Sequence, residues 1–119
     1  MYFDRILPVA VVVAVSLGAT AASAHARLLA ATPAAEATVT APRSVTLTFS
    51  ERLVPAFSSL EIVNAAGTRS PATTTVGEDG KSLVGTLSAP LITGSYTVRW
   101  AIASGDGHRM TGAHVFTVR

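Results

Sequence analysis

The sequence predicts an all-β domain of about seven short strands, a sandwich or a small barrel, carried behind a removable leader. Two observations carry the fold class: beyond residue 24 apolar residues alternate with polar ones instead of recurring at helical spacing, and Gly, Pro and Asp turn residues punctuate the chain between those segments. A third bounds the answer. The chain has no cysteine, which removes a disulfide framework, a thiolate metal site and a lipidated cysteine anchor, so stability must come from packing.

The leader has the three parts of a secretory signal peptide: a polar start with Arg5, an apolar run over residues 6–14 continued by small and apolar residues to Ala22, and the small-x-small site Ala22-Ser23-Ala24. The apolar run falls short of the ~20 residues that span a bilayer, which favours cleavage over a retained anchor, and the lack of a twin-arginine pair points to general secretion. Residues 1–24 are read as signal peptide and residues 25–119 as the domain. Removing 24 of 119 residues leaves 95, enough for one module and too few for two. Without Arg5 and Asp4, the nine basic and seven acidic residues become eight and six, a scattered net charge of +2 that leaves no nucleic-acid footprint. No other stretch is apolar for long enough to span a membrane, so the mature protein is expected to be soluble.

Strands are expected near 27–31, 44–50, 58–64, 72–77, 81–87, 95–103 and 112–118. Val45, Leu47 and Phe49 alternate with Thr46 and Thr48, Leu60 and Ile62 flank Glu61, and Tyr96, Val98, Trp100 and Ile102 alternate with Thr97, Arg99 and Ala101. Each such segment has one face to bury. Thr32-Pro33, Ala41-Pro42, Ala66-Gly67, Ala89-Pro90, Thr93-Gly94 and Ser104-Gly105 break the chain between them, and Asp79-Gly80 is a hairpin turn signal. Seven short strands in about 95 residues is the sandwich or small-barrel signature. Trp100 and Tyr96 fall on the apolar face of the longest strand, as core anchors with polar tips to satisfy.

The chemistry concentrates at the two ends of the mature chain. Cleavage after Ala24 would make His25 the first residue, and a free α-amine with ring Nδ1 can chelate one metal ion, a pair that a mid-chain histidine lacks. Far downstream, Asp106-Gly107-His108 places a carboxylate and an imidazole at i, i+2, on the same side of an extended backbone. Gly105 and Gly107 bracket the aspartate and allow a tight loop. An amine, two imidazoles and a carboxylate suit tetragonal Cu(II); zinc would accept the set tetrahedrally, but copper binds nitrogen donors more tightly.

The mature chain resembles the CopC family of small periplasmic copper-binding proteins nearly end to end. The resemblance rests on His25-Ala26-Arg27-Leu28, Thr32-Pro33-Ala34, Leu47-Thr48-Phe49-Ser50-Glu51, Tyr96-Thr97-Val98-Arg99-Trp100, and Ser104-Gly105-Asp106-Gly107-His108 through Gly112 and Phe116-Thr117-Val118. It implies a Greek-key β-barrel or immunoglobulin-like sandwich, with a Cu(II) site made by His25, Asp106 and His108. Glu51 stands where similar proteins often carry an acidic residue near the copper, and is expected to orient a ligand from beside the metal. His114 shares the parity of Phe116 and Val118 and is expected to face inward, either structural or beside the copper loop. The methionine-rich Cu(I) segment of some family members has no counterpart over residues 63–71, and Met110, the one methionine beyond the leader, is expected to pack.

The expected function is periplasmic Cu(II) binding for sequestration, resistance or delivery, without enzymatic turnover, with a CopD-like inner-membrane protein as the partner that the resemblance implies. Two rivals stand beside it. A terminal histidine on a β-sandwich is also similar to the copper site of polysaccharide monooxygenases, although this small domain has few aromatics for a broad substrate surface, most of them on apparent core faces. An immunoglobulin-like interaction module would make His25 and His108 incidental. Nothing in the chain supports a hydrolase: there is no nucleophile–base pairing, phosphate loop or zinc-protease helix.

Overall fold

A computed structural model describes residues 26–119; the leader, its cleavage site and His25 lie outside the described residues. The strands are β1 (Leu28–Thr32), β2 (Thr38–Val39), β3 (Ser44–Phe49), β4 (Ser59–Asn64), β5 (Arg69–Ser70), β6 (Ala72–Val76), β7 (Ser82–Leu87), β8 (Gly94–Ala103) and β9 (Arg109–Val118), with a 3-10 turn at Pro55–Phe57. One sheet has the order β1-β3-β7-β6 and the other β2-β9-β8-β4-β5. Hairpins β4–β5, β6–β7 and β8–β9 each stay within a sheet, and the connections between them cross from one sheet to the other. Both sheets keep separate edges, so the fold is an all-β, Greek-key, immunoglobulin-like sandwich and not a closed barrel.

All seven expected strands are present, with two further strands of two residues each, β2 and β5. A two-residue strand is too short to show a period, which is why neither is visible as an alternating segment. These short strands form both edges of the larger sheet, each pairing with two residues of its neighbour.

The alternation read from the sequence is the packing. Val45, Leu47 and Phe49 of β3, Leu83 of β7, Leu60 and Ile62 of β4, Tyr96, Val98, Trp100 and Ile102 of β8, and Phe116 and Val118 of β9 fill the space between the sheets. Phe49 meets Trp100 edge to face at a centroid distance of 5.0 Å, and Tyr96 stacks on Phe116 at 5.8 Å. The Tyr96 hydroxyl donates to the Ile92 carbonyl at 2.7 Å, which satisfies its polar tip.

Strand β9 begins three residues before its expected start, at Arg109. Gly112, expected as the first residue of the strand, sits inside the ladder opposite Trp100. A Cβ at Gly112 would stand 2.2 Å from Trp100 Cζ2, so the glycine makes room for an indole and does not end a strand.

One end of the sandwich collects four segments. Leu28 pairs with Phe49 where β1 starts and β3 ends. The Phe49 N–H donates to Lys81 O at 2.9 Å and the Leu53 N–H to Gly80 O at 2.8 Å, which brings in the β6–β7 turn. At the same end Leu53 bridges Ser104, where β8 turns towards β9.

Candidate metal centre

The β8–β9 connection is a closed loop. Ser104 N–H donates to His108 O at 2.9 Å and Gly107 N–H to Ser104 O at 2.9 Å, with Gly107 at φ +90°, a conformation open to glycine. Inside this loop the Asp106 carboxylate accepts from the Ser104 hydroxyl, from the His108 N–H at 3.1 Å and from His108 Nδ1 at 2.9 Å. These bonds, the Ser104 hydroxyl foremost and the His108 ring next, hold the Asp106 carboxyl well below the usual carboxylate range. Asp106 stays ionised, and its contact with His108 Nδ1 orients the ring. A carboxylate on one ring nitrogen is the arrangement that orients a metal-binding histidine.

The two side chains keep 34% and 51% of their surface in water, so an ion can reach them. Three donors on one carboxylate leave roughly one of its four lone-pair sites. A metal taking Asp106 directly would use that site or displace the Nδ1 bond.

A strap over residues 50–54 links this loop to the start of the domain. Arg27 N–H donates to Ser50 Oγ at 2.8 Å and Ser50 N–H returns a bond to Arg27 O at 2.9 Å. Further along, Gly105 N–H donates to Arg52 O at 3.1 Å and Val54 N–H to Ala103 O at 2.9 Å. Ala26 is 1% exposed and belongs to the core. Thus Arg27, next to the first described residue, and the Asp106–His108 loop are tied to the same short strap. Glu51, exposed, occupies the position between the two attachment points.

His114 is not brought to the loop. It lies five residues along β9 from Arg109, roughly 17 Å at ordinary strand rise, and it pairs with Val98 on the inward face. Its Nε2 donates to Pro33 O at 3.0 Å, while Nδ1 is buried with no hydrogen-bond partner among the described residues. Met110 packs against the core. Among the described residues no group of three or more His, Cys, Asp or Glu side chains gathers; Asp106 and His108 supply two donors, and the third expected ligand, His25, lies outside the described residues.

Sequence reasoning quoted Ser104 without giving it a role. Its buried hydroxyl is the largest influence on Asp106, and a serine two residues before an aspartate in a glycine-bracketed loop was the available signal. The 50–54 strap had no such signal, because its bonds to the loop and to Arg27 run largely through backbone groups.

A sandwich with a carboxylate–imidazole pair in a loop at one end, joined through a short strap to Arg27 near the first of the described residues, defines a class of small β-domains. The CopC domain model matches residues 28–119, and the chain belongs to the CopC family. It is 36% identical to copper resistance protein C of Xanthomonas campestris pv. juglandis over 98% of both chains. With copper resistance protein C of Pseudomonas syringae pv. tomato it shares 38% over 82% of this chain and 83% of the relative. Among solved structures, CopC of Methylosinus trichosporium OB3b superposes with a TM-score of 0.74 at 33% identity, covering 79% of this chain and 93% of that one. PcoC of Escherichia coli, described as a methionine-rich copper resistance protein, gives 0.75 at 35% identity over 81% of this chain and 100% of that one.

Proposed function

We propose that this protein is a periplasmic Cu(II)-binding protein of copper resistance, which sequesters the ion or passes it on after signal cleavage exposes His25. The ligands in this reading are the α-amine and imidazole of His25, the Asp106 carboxylate and the His108 imidazole. The observation that supports it best is the shared strap: Arg27, two residues from His25, is bonded to Ser50, and Gly105, next to Asp106, is bonded to Arg52. Glu51, between those points, would orient a ligand from beside the ion. The names of the relatives, copper resistance protein C, support copper as the cargo.

Copper in its oxidised state follows from the donor set. Nitrogen and carboxylate oxygen suit Cu(II), whereas Cu(I) prefers thiolate and thioether. The chain has no cysteine and two methionines, Met1 in the leader and Met110, unlike the relative described as methionine-rich. The amine and both imidazoles must be unprotonated to bind, so protons compete with the ion as pH falls. Asp106, already held ionised by Ser104 and His108, is the ligand least affected. Onward transfer would go to a CopD-like inner-membrane protein.

Cu(II) titration of the mature protein tests the ligand set. Alanine at His25, Asp106 or His108 should each weaken binding by at least about tenfold, the scale on which even a supporting residue of a metal site acts, and change the EPR spectrum. His114→Ala should leave both unaltered. Unchanged affinity in His108→Ala would remove the metal reading and favour an interaction module.

A further inference from the structure

Next to the Asp106–His108 loop the surface carries an apolar depression of about 310 Å³, whose walls include Val54, Phe57, Ala103, Gly105, Gly107 and Arg109. Phe57 is 60% exposed, on a 3-10 turn that buries none of its three residues. The core therefore has no use for this ring. Its backbone is nevertheless fixed: Phe57 N–H donates to Val54 O at 3.0 Å, and Val54 N–H to Ala103 O at 2.9 Å. The backbone that carries these walls is held in place before any side chain enters the depression.

Two of its walls, Gly105 and Gly107, are the residues on either side of Asp106. Whatever fills the depression touches the metal loop. At the rim, Arg109 is exposed and makes no ion pair among the described residues. The complement of such a surface is one apolar side chain flanked by carboxylate, an aromatic or aliphatic anchor with an acidic rim.

We propose that this depression is where a copper-exchanging protein partner docks, by inserting an apolar side chain beside Phe57 and setting an acidic residue against Arg109. The inference rests on the copper-binding reading and deepens it, because contact with Gly105 and Gly107 brings the partner's own ligands to the cargo. A Phe ring with free space beside it also offers the type of anchor on which protein interfaces concentrate their energy.

Photo-crosslinking in the cell envelope tests it, with benzoylphenylalanine in place of Phe57, copper supplied and adducts identified by mass spectrometry. The expected adduct joins this protein to a copper-handling protein through a peptide with an acidic residue beside an apolar one. Its yield should fall roughly two- to fivefold in the Arg109→Gln background, the scale of an exposed charge pair. No adduct, an adduct only with a second copy of this chain, or an adduct indifferent to Arg109→Gln overturns the proposal. In parallel, Phe57→Ser and Arg109→Gln should bind Cu(II) with the wild-type EPR spectrum; loss of binding would assign these residues to the metal site and overturn docking. If the unaltered protein itself binds no Cu(II) through His25, Asp106 and His108, the copper reading fails separately, whatever the crosslink shows.

Discussion

At Gly112 the absence of a side chain is a packing requirement, since the Trp100 indole crosses the place a Cβ would occupy, and Trp100 in turn meets Phe49 of the other sheet. Gly112→Ala must push the indole into that contact. The expected cost is about 1–3 kcal/mol, the usual penalty for overpacking a filled core, read as a lower denaturant midpoint at unchanged slope. Unchanged stability would mean that the indole has somewhere else to go. At Asp106 the controlling neighbour is Ser104, whose hydroxyl, with the His108 ring and N–H, keeps the carboxylate charged and the imidazole oriented. The residue types of that loop were legible as donors; the preorganising role of Ser104 was not, because it depends on a buried hydroxyl inside a folded turn.

The β6–β7 hairpin shows an element stabilised by one ionised side chain. Asp79 accepts from the Lys81 N–H at 2.9 Å, the Ser82 N–H at 3.0 Å and the Ser82 hydroxyl at 2.7 Å. Those bonds, led by the Lys81 N–H, lower its carboxyl below the ordinary value. A lowered folded-state value means that the contribution is complete above the unfolded carboxylate value near 4 and is lost as pH falls through the folded one. Asp79→Asn should therefore be less stable than wild type at pH 7, with the difference shrinking as unfolding is measured at successively lower pH below about 4. A difference that stays constant would show that the charge is irrelevant to the turn. The Asp79-Gly80 signal was readable because turn chemistry is local. The two-residue strands β2 and β5 were not, being too short to show a period, and neither was the early start of β9, where the ladder with β8 runs on through Gly112 because the Trp100 indole takes the space of its Cβ.

For the molecule as a whole, the sandwich brings Arg27 to the same strap as the loop nearly eighty residues downstream, a separation no local pattern reveals. The sequence contributed the donor types and the alternation that fills the core. That Arg27 and the Asp106–His108 loop share one end follows from the pairing of Leu28 with Phe49, the Leu53–Ser104 bridge, and the strap between them. His114, by contrast, shares a strand with the loop and yet belongs to the Pro33 connection, since strand parity shows which face a residue takes and not how far along the sheet its partners lie. The central claim is that proteolysis creates a copper ligand at that end of the sandwich. The most direct measurement is Cu(II) titration with EPR on the mass-verified protein beginning at His25, beside a form extended by one N-terminal glycine that keeps every side chain and turns the His25 amine into an amide. The account predicts a single tight, nitrogen-rich tetragonal site in the first and its loss in the second; identical affinity and spectra in the two forms would contradict it.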